Sequence, residues 1–364
     1  MPLTSRSPVA PTMSTDTRPQ TDSLPLRDPE YYDEDGNVTF CAGNVLFRTQ
    51  RSRLSRSSVV FKEMFSLPLS KNFEQDGGSD HRPIVLKDDA EDIRALFWAL
   101  SLLPHEVTAL LHEGAQSSIC YRLLRVSQTA HKYQFEHVDR WALGTVFTFL
   151  IDIPFNLDSE MICKLIQVTR LCTPEEVDRA EDIIRLALER NRADLAIVLT
   201  AAEALHFDSL AGYAYHRILL RGNWIKDPTL SLPIRTNLLH GYHAFTELWL
   251  ELRKTAPHIT HHSCPYLGPC LWMHAEAWRE TVQAAELMSF PPADVLGKLH
   301  AIKTCPAFQR ERSGHWPDKG GTLTFVCRPG VISFIDDKIK DIESRLIEYF
   351  RMPSVAEQLP HIEG

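Results

Sequence analysis

The chain has no apolar run approaching the roughly 20 residues that a membrane-spanning helix needs. Its first residues, MPLTSRSPVAPTMSTDTRPQTDSLP, have no apolar core and are rich in Ser, Thr and Pro. That composition argues against a secretory signal and predicts a disordered tail over residues 1–28. Positive charge is in deficit: the formal net charge is −8, which argues against a broad nucleic-acid surface. Cysteine is sparse, with 8 in 364 residues, an ordinary count for reduced thiols inside a cell. The expected location is therefore the cytoplasm or nucleus, and the sequon Asn37-Val38-Thr39 carries little weight. Catalytic signatures are missing too. There is no GxGxxG or GxxxxGK[ST] loop, no GxSxG elbow and no HExxH helix, and His105-Glu106 and His112-Glu113 lack the second His. Carboxylates fall on the outer faces of the predicted helices, so no catalytic residue, cofactor or enzymatic activity is expected.

What is present is apolar material in quantity. Hydrophobic residues make up 44% of the chain, enough at this length to bury roughly 75% of the unfolded surface in two or three domains. Near the start, two short apolar runs, NVTF and NVLF, flank Cys41-Ala42-Gly43, and the AGN stretch suits a hairpin. The basic segment QRSRLSR and then SSVVFKEMF read as two short helices, with Ser57 or Ser58 capping the second and Pro68 ending it. Ile84-Val85-Leu86 is a short buried strand. Asp88 and Asp89 then open a helix whose face is Ile93, Leu96, Phe97, Leu100 and Leu103, and Pro104 ends it. Residues 118–150 read as a helix pair: Leu123, Leu124, Val126 and Ala130 lie on the first helix, and Val138, Trp141, Ala142 and Thr145 on the second.

Three stretches in this order, GNVTFCAGNVLFRTQRSRLSRSSVVFKEMFSLP, PIVLKDDAEDIRALFWAL and LLRVSQTAHKYQFEHVDRWAL, resemble the BTB/POZ domain, in the divergent form abundant in mushroom-forming fungi. The resemblance spans residues 30–150 and departs at Gln50, where such domains usually carry His. It implies an α+β domain over 29–150 with a core of Phe47, Leu54, Phe61, Phe65, Leu86, Leu96, Phe97, Leu100 and Trp141. Arg48, Arg51, Arg53 and Arg56 then lie on or beside surface helices rather than forming a nucleic-acid patch.

A mostly α-helical region follows. Over 151–255, Thr173, Pro174 and Glu176 form a capping box ahead of DRAEDIIRLALER, RADLAIVLTAAEALHF is a second helix, and Gly222 stops a third. By position alone it resembles the BACK extension of BTB adaptors. Residues 256–330 form a Cys/His/Pro-rich loop and helix region. Within it, a helix over 270–288 has Leu271, Ala275, Trp278, Val282 and Ala285 on its buried face. Zinc would need Cys264, Cys270, Cys305 and Cys327 there, beside His258, His261, His262 and His274. The five-residue gap between Cys264 and Cys270 is no knuckle spacing, so buried thiols without zinc are expected. Residues 331–352 form a closing helix with Ile335, Ile339, Ile342, Leu346 and Tyr349 on one face, docked on its own domain, and Asp336 paired with Lys340 outside; 353–364 is a tail.

The expected function is that of an interaction module or adaptor. The resemblance implies that BTB domains commonly dimerise, some recruiting cullin-type ubiquitin ligases and others serving transcriptional complexes. Expected partners are therefore a second copy and other proteins, a cullin-type ligase among them. Ligase adaptors tend to carry a hydrophobic-x-Glu motif after the second helix, whereas here Phe73 and Glu74 are adjacent. The alternative class is a nuclear regulator touching nucleic acid through the basic patch, with a zinc-stapled C-terminal region.

Overall fold

Strand β1 (Leu26–Tyr32) begins inside the stretch expected to be tail. The sequence hides it because Arg27, Asp28, Pro29 and Glu30 interrupt any apolar alternation, as an edge strand tolerates. The computed structural model describes residues 25–67, 77–152, 154–257, 267–309 and 328–351. They fall into two compact units. The first comprises the described residues up to Val107 together with Thr129–Arg140; the second comprises Thr108–Gln128 and the described residues from Trp141 onward.

In the first unit, β2 (Val38–Ala42) and β3 (Val45–Thr49) form the expected hairpin, with Gly43 at φ +57° in its turn. Next come α1 (Arg51–Ser57) and α2 (Val59–Ser66); Ser58 Oγ accepts from Phe61 N at 3.1 Å and donates to the Tyr133 carbonyl at 2.5 Å. Strand β4 (Ile84–Leu86) completes a four-stranded sheet of order β1-β3-β2-β4, in which β1 runs parallel to β3 and β4 parallel to β2. All five residues of β2 are buried because it is an inner strand, whereas β4 is an edge, not the buried strand expected, and Val85 is 73% exposed.

Helix α3 (Ala90–Ser101) is capped by Asp89, which accepts from Glu91 N at 2.9 Å. It stops before Leu103, which is exposed instead of continuing the buried face. Pro104 does not end α3 but opens α4 (Pro104–Glu113), with Leu103 N donating to the Glu106 carboxylate at 2.7 Å. Helices α5 (Ser117–Lys132) and α6 (Glu136–Leu150) each belong partly to both units.

The first core gathers Phe40, Phe47, Leu54, Phe61, Leu96 and Phe97 with Ala130 and Phe135; Phe65, Leu86 and Leu100 are half-buried at its rim. Phe61 stacks on Tyr133 at 5.0 Å and meets Phe40 edge-on at 5.5 Å. Trp141 is not part of this core: Val138 packs against it, and α6 has passed into the second unit by Trp141.

The second unit is helical among its described residues: α7 (Ser159–Thr169), α8 (Pro174–Glu189), α9 (Leu195–Ala204), α10 (Asp208–Arg221), α11 (Leu232–Lys254), α12 (Leu267–Val282), α13 (Ala285–Met288), α14 (Val295–Thr304), α15 (Pro306–Gln309) and α16 (Arg328–Ser344). The capping box forms at α8, where Glu176 accepts from Thr173 N at 2.9 Å, and Gly222 caps α10 at φ +70°.

The helix expected over 270–288 is instead two, α12 and α13, separated at Ala284. The buried face of α12 carries His274, Ala277, Trp278, Thr281 and Val282, while Ala275 and Ala285 are exposed. Helix α16 buries Ile335, Ile339 and Ile342 as expected but ends at Ser344, and Leu346–Tyr349 form a 3-10 turn. Asp336 pairs with Lys303 at 2.9 Å rather than with Lys340. That turn fits against glycines: a Cβ on Gly212 would lie 2.9 Å from Leu346 Cβ, and one on Gly241 would collide with the Phe350 ring. No helix of the described residues is long and apolar enough to cross a membrane.

Candidate functional site

The acidic run that opens the chain's folded part supplies the site. Asp28 lies on β1 and is 3% exposed. Its Oδ1 accepts from Glu30 N at 3.0 Å and Tyr31 N at 2.9 Å, and its Oδ2 takes Arg94 Nε at 2.9 Å. A buried carboxylate is tolerated because each oxygen is satisfied and Arg94 balances the charge. Turning inward, it pulls β1 out of register with β3 between Arg27 and Tyr32. Further out, Asp80 accepts from Arg27 Nε at 2.8 Å and from the Tyr32 hydroxyl at 2.5 Å. Burial raises the Asp80 pKa, but those two bonds and the charges of Arg27 and Arg48 outweigh it, holding the carboxyl below its ordinary range.

The basic segment is spent on structure. Arg48 Nε donates to the Gly36 carbonyl at 2.8 Å. Arg51 lies 5.3 Å over the Phe65 ring, and its backbone N–H donates to Asn37 Oδ1 at 2.7 Å. Arg53 clamps the Leu100 carbonyl at 2.5 Å and Ser101 Oγ at 3.1 Å, satisfying the last turn of α3. Arg56 is exposed. Gln50, at the position where the resemblance leads one to expect His, donates to the Asp35 carbonyl at 2.5 Å.

Between β1, the end of β3, α1 and the end of α3 lies a cleft of about 130 Å³. Leu54, Phe97 and Leu100 line it, with Glu30, Asp33 and Thr49 among its polar residues. Compared with known proteins, the chain matches no family model and no curated sequence. Sequence reasoning placed Leu54, Phe97 and Leu100 in the core and missed the cleft they help to form. Its acids are Glu30 on β1 and Asp33 just beyond that strand, legible as charge but not as a wall.

In the second unit, His274 is buried and its Nε2 meets the Pro257 carbonyl at 2.8 Å, while Cys305 is buried at 3% exposure. Cys264, Cys327, His258, His261 and His262 lie outside the described residues, as do the Cys270 side chain and the Phe73-Glu74 pair. Among the described residues no three His, Cys, Asp or Glu side chains are grouped as a metal would need. Lys298 is 3% exposed, with Nζ donating to the carbonyls of Pro291 at 2.8 Å and Pro292 at 2.7 Å and lying 5.0 Å over the Trp249 ring. Burial lowers its pKa against the charge of Asp294. Tied to carbonyls and an aromatic face, it locks the turn before α14.

Proposed function

We propose that the protein is an interaction module of BTB-like type that associates with itself and docks other proteins. The observation that carries this reading is the element order of the first unit. It has a hairpin turned at Gly43, two short helices joined at Ser58, a short strand at Ile84–Leu86 and a helix from Ala90, in the order that the resemblance implies. Internal engagement of Arg48, Arg51 and Arg53 speaks against the nucleic-acid alternative. Free thiols at Cys41, Cys120, Cys163, Cys172 and Cys305 support a reducing compartment.

A two-fold dimer is the default symmetry for such self-association. Sedimentation velocity of the full chain at micromolar concentration tests it, and a mass twice that of the chain is expected. A monomer at every concentration that also captures no partner from its native cell would end this reading.

A further inference from the structure

We propose that the groove between α10 and α11 is a peptide-binding site, and that residues 346–351 of the chain itself are its detachable occupant. The inference concerns the second unit and does not rest on the reading of the first. The groove is shaped around that segment. Leu346 and Phe350, one helical turn apart, are its two buried side chains. At Gly212 a Cβ would come within 2.9 Å of Leu346 Cβ and 2.7 Å of Ile347 N, so only glycine admits the turn there. The Phe350 ring enters over Gly241, where any Cβ would collide with it, and rests on Tyr215 at 4.9 Å. Asn237 Nδ2 donates to the Tyr215 hydroxyl at 2.9 Å and fixes that ring as a floor. Polar contacts set the direction. His240 Nδ1 donates to the Tyr349 carbonyl at 2.9 Å, and Arg351 pairs with Asp208, its Nη1 3.0 Å from Oδ2. The groove therefore reads an apolar residue, an aromatic ring four residues on and a cation directly after it.

The segment is held as a ligand is held, by few contacts and apart from its own helix. Helix α16 packs on α14, whereas the turn that follows packs on α10 and α11. The helix ends at Ser344, and Arg345, at φ −120° and ψ 20°, leaves the helical path, so the turn can depart while α16 stays docked. The backbone of the turn serves itself. Glu348 N bonds to the Arg345 carbonyl, and Phe350 N and Arg351 N both bond to the Ile347 carbonyl. Among the described residues, departure therefore breaks no backbone–backbone bond to the groove. The Arg351–Asp208 pair is about half exposed on both sides, which makes it a weak tie. Two apolar anchors remain, and undocking them uncovers the aromatic surface of Tyr215 and Phe245. A partner segment of the same pattern would sit there, in competition with a resident whose tether favours it by proximity.

Two experiments test it, both on the full chain. Native-state hydrogen exchange of the unmodified chain reads the amides of Glu348, Phe350 and Arg351. They are expected to exchange about a hundredfold or more faster than those in the middle of α10, with little dependence on denaturant. Exchange of the two sets together, only on global unfolding, overturns the detachable occupant. The second experiment vacates the groove with Phe350→Ala and Arg351→Glu. Its probe is a capped peptide of residues 345–351, labelled for fluorescence anisotropy. Saturable binding with a midpoint of about a millimolar or tighter is expected. The same peptide carrying Phe350→Ala should bind about tenfold or more weakly. Adding Gly241→Val to the vacated chain should abolish binding, because the new side chain fills the place of the ring. No saturable binding, or equal binding of the two peptides, overturns the site. Unfolding of the second unit in the vacated chain overturns it too, since removing a ligand leaves its receptor standing.

Discussion

The Phe350 ring stacks on Tyr215, with centroids 4.9 Å apart and planes 15° apart, and so ties the last described turn to α10. Phe245 of α11 lies 5.8 Å from Phe350 and 4.7 Å from Tyr349, and His240 Nδ1 is 2.9 Å from the Tyr349 carbonyl. Gly241 is what admits the Phe350 ring. Gly241→Val is therefore expected to destabilise the second unit by about 1–3 kcal/mol through overpacking. Adding Phe350→Ala should remove part of that cost, because the two sites share one space. Urea midpoints of the singles and the double check it; fully additive losses would contradict the contact.

His216 gives a pH prediction. It is 7% exposed, lies 5.5 Å from Phe245, and its Nε2 has no hydrogen-bond partner among the described residues. Burial lowers its pKa from 6.5 to about 4, against the opposing charge of Asp294 and with help from Arg217. The folded pKa lies below the unfolded one, so the unfolded chain binds the proton more readily. Stability is then full above about pH 6.5 and falls as pH drops toward 4, by up to about 3 kcal/mol. His216→Leu should flatten that part of the pH profile. Urea unfolding at pH 7 and pH 5 reads the difference, and an unchanged slope in the variant would refute the assignment.

Asp28 and Arg94 form the ion pair that shapes the cleft wall, with Arg94 30% and Asp28 0% exposed at the side chain. Arg94→Met leaves a buried carboxylate without its cation. The expected cost is about 2–3 kcal/mol, at or below the low end of the 3–5 range for fully buried pairs, because Arg94 reaches solvent. Asp28→Asn should cost less, since an amide oxygen still accepts from the Glu30 and Tyr31 N–H groups. If Arg94→Met melts with the parent chain, the pair is not holding β1.

What could be read from the sequence was local chemistry. Ser58, Asp89, the Thr173-Pro174-Glu176 box, Gly43 and Gly222 act within a few residues of themselves, and each was legible. Strand β1 was hidden because its pattern serves the Asp28–Arg94 pair rather than an alternating face. The cleft was hidden because Glu30, Thr49, Arg53 and Leu100 come from separate elements, and only the fold brings them together. Trp141 was misplaced because a periodic helix does not announce that its two ends serve different cores.

Phe61 is the residue on which the first core closes, in ring contact with Phe40, Phe65, Tyr133 and Phe135. Phe61→Asp would bury an unpaired charge there and is expected to cost several kcal/mol, on the order of the whole stability of a small domain. Loss of the cooperative near-ultraviolet transition assigned to this unit is the expected readout. A variant that keeps it would place Phe61 outside the core.

The Cys and His residues of the C-terminal region give the last prediction, that the chain carries no stoichiometric zinc. Zinc needs ligand atoms with free lone pairs converging within about 2.0–2.3 Å of one point. The His274 Nε2 lies 2.8 Å from the Pro257 carbonyl, an acceptor, so this nitrogen carries the proton and donates it. That bond occupies Nε2 and leaves a lone pair on Nδ1, but among the described residues no three His, Cys, Asp or Glu side chains are grouped as a metal would need. Cys305 caps the end of α14 and is sealed at 3% exposure, where packing accounts for its burial. Trp278, bonded through Nε1 to the Leu252 carbonyl at 3.1 Å, anchors α12 without help from an ion. Elemental analysis of protein purified without chelator should find well under one zinc per chain, and a chelator should leave the thermal midpoint unchanged. Near-stoichiometric zinc, with unfolding on chelation, would instead show that the metal organises this region.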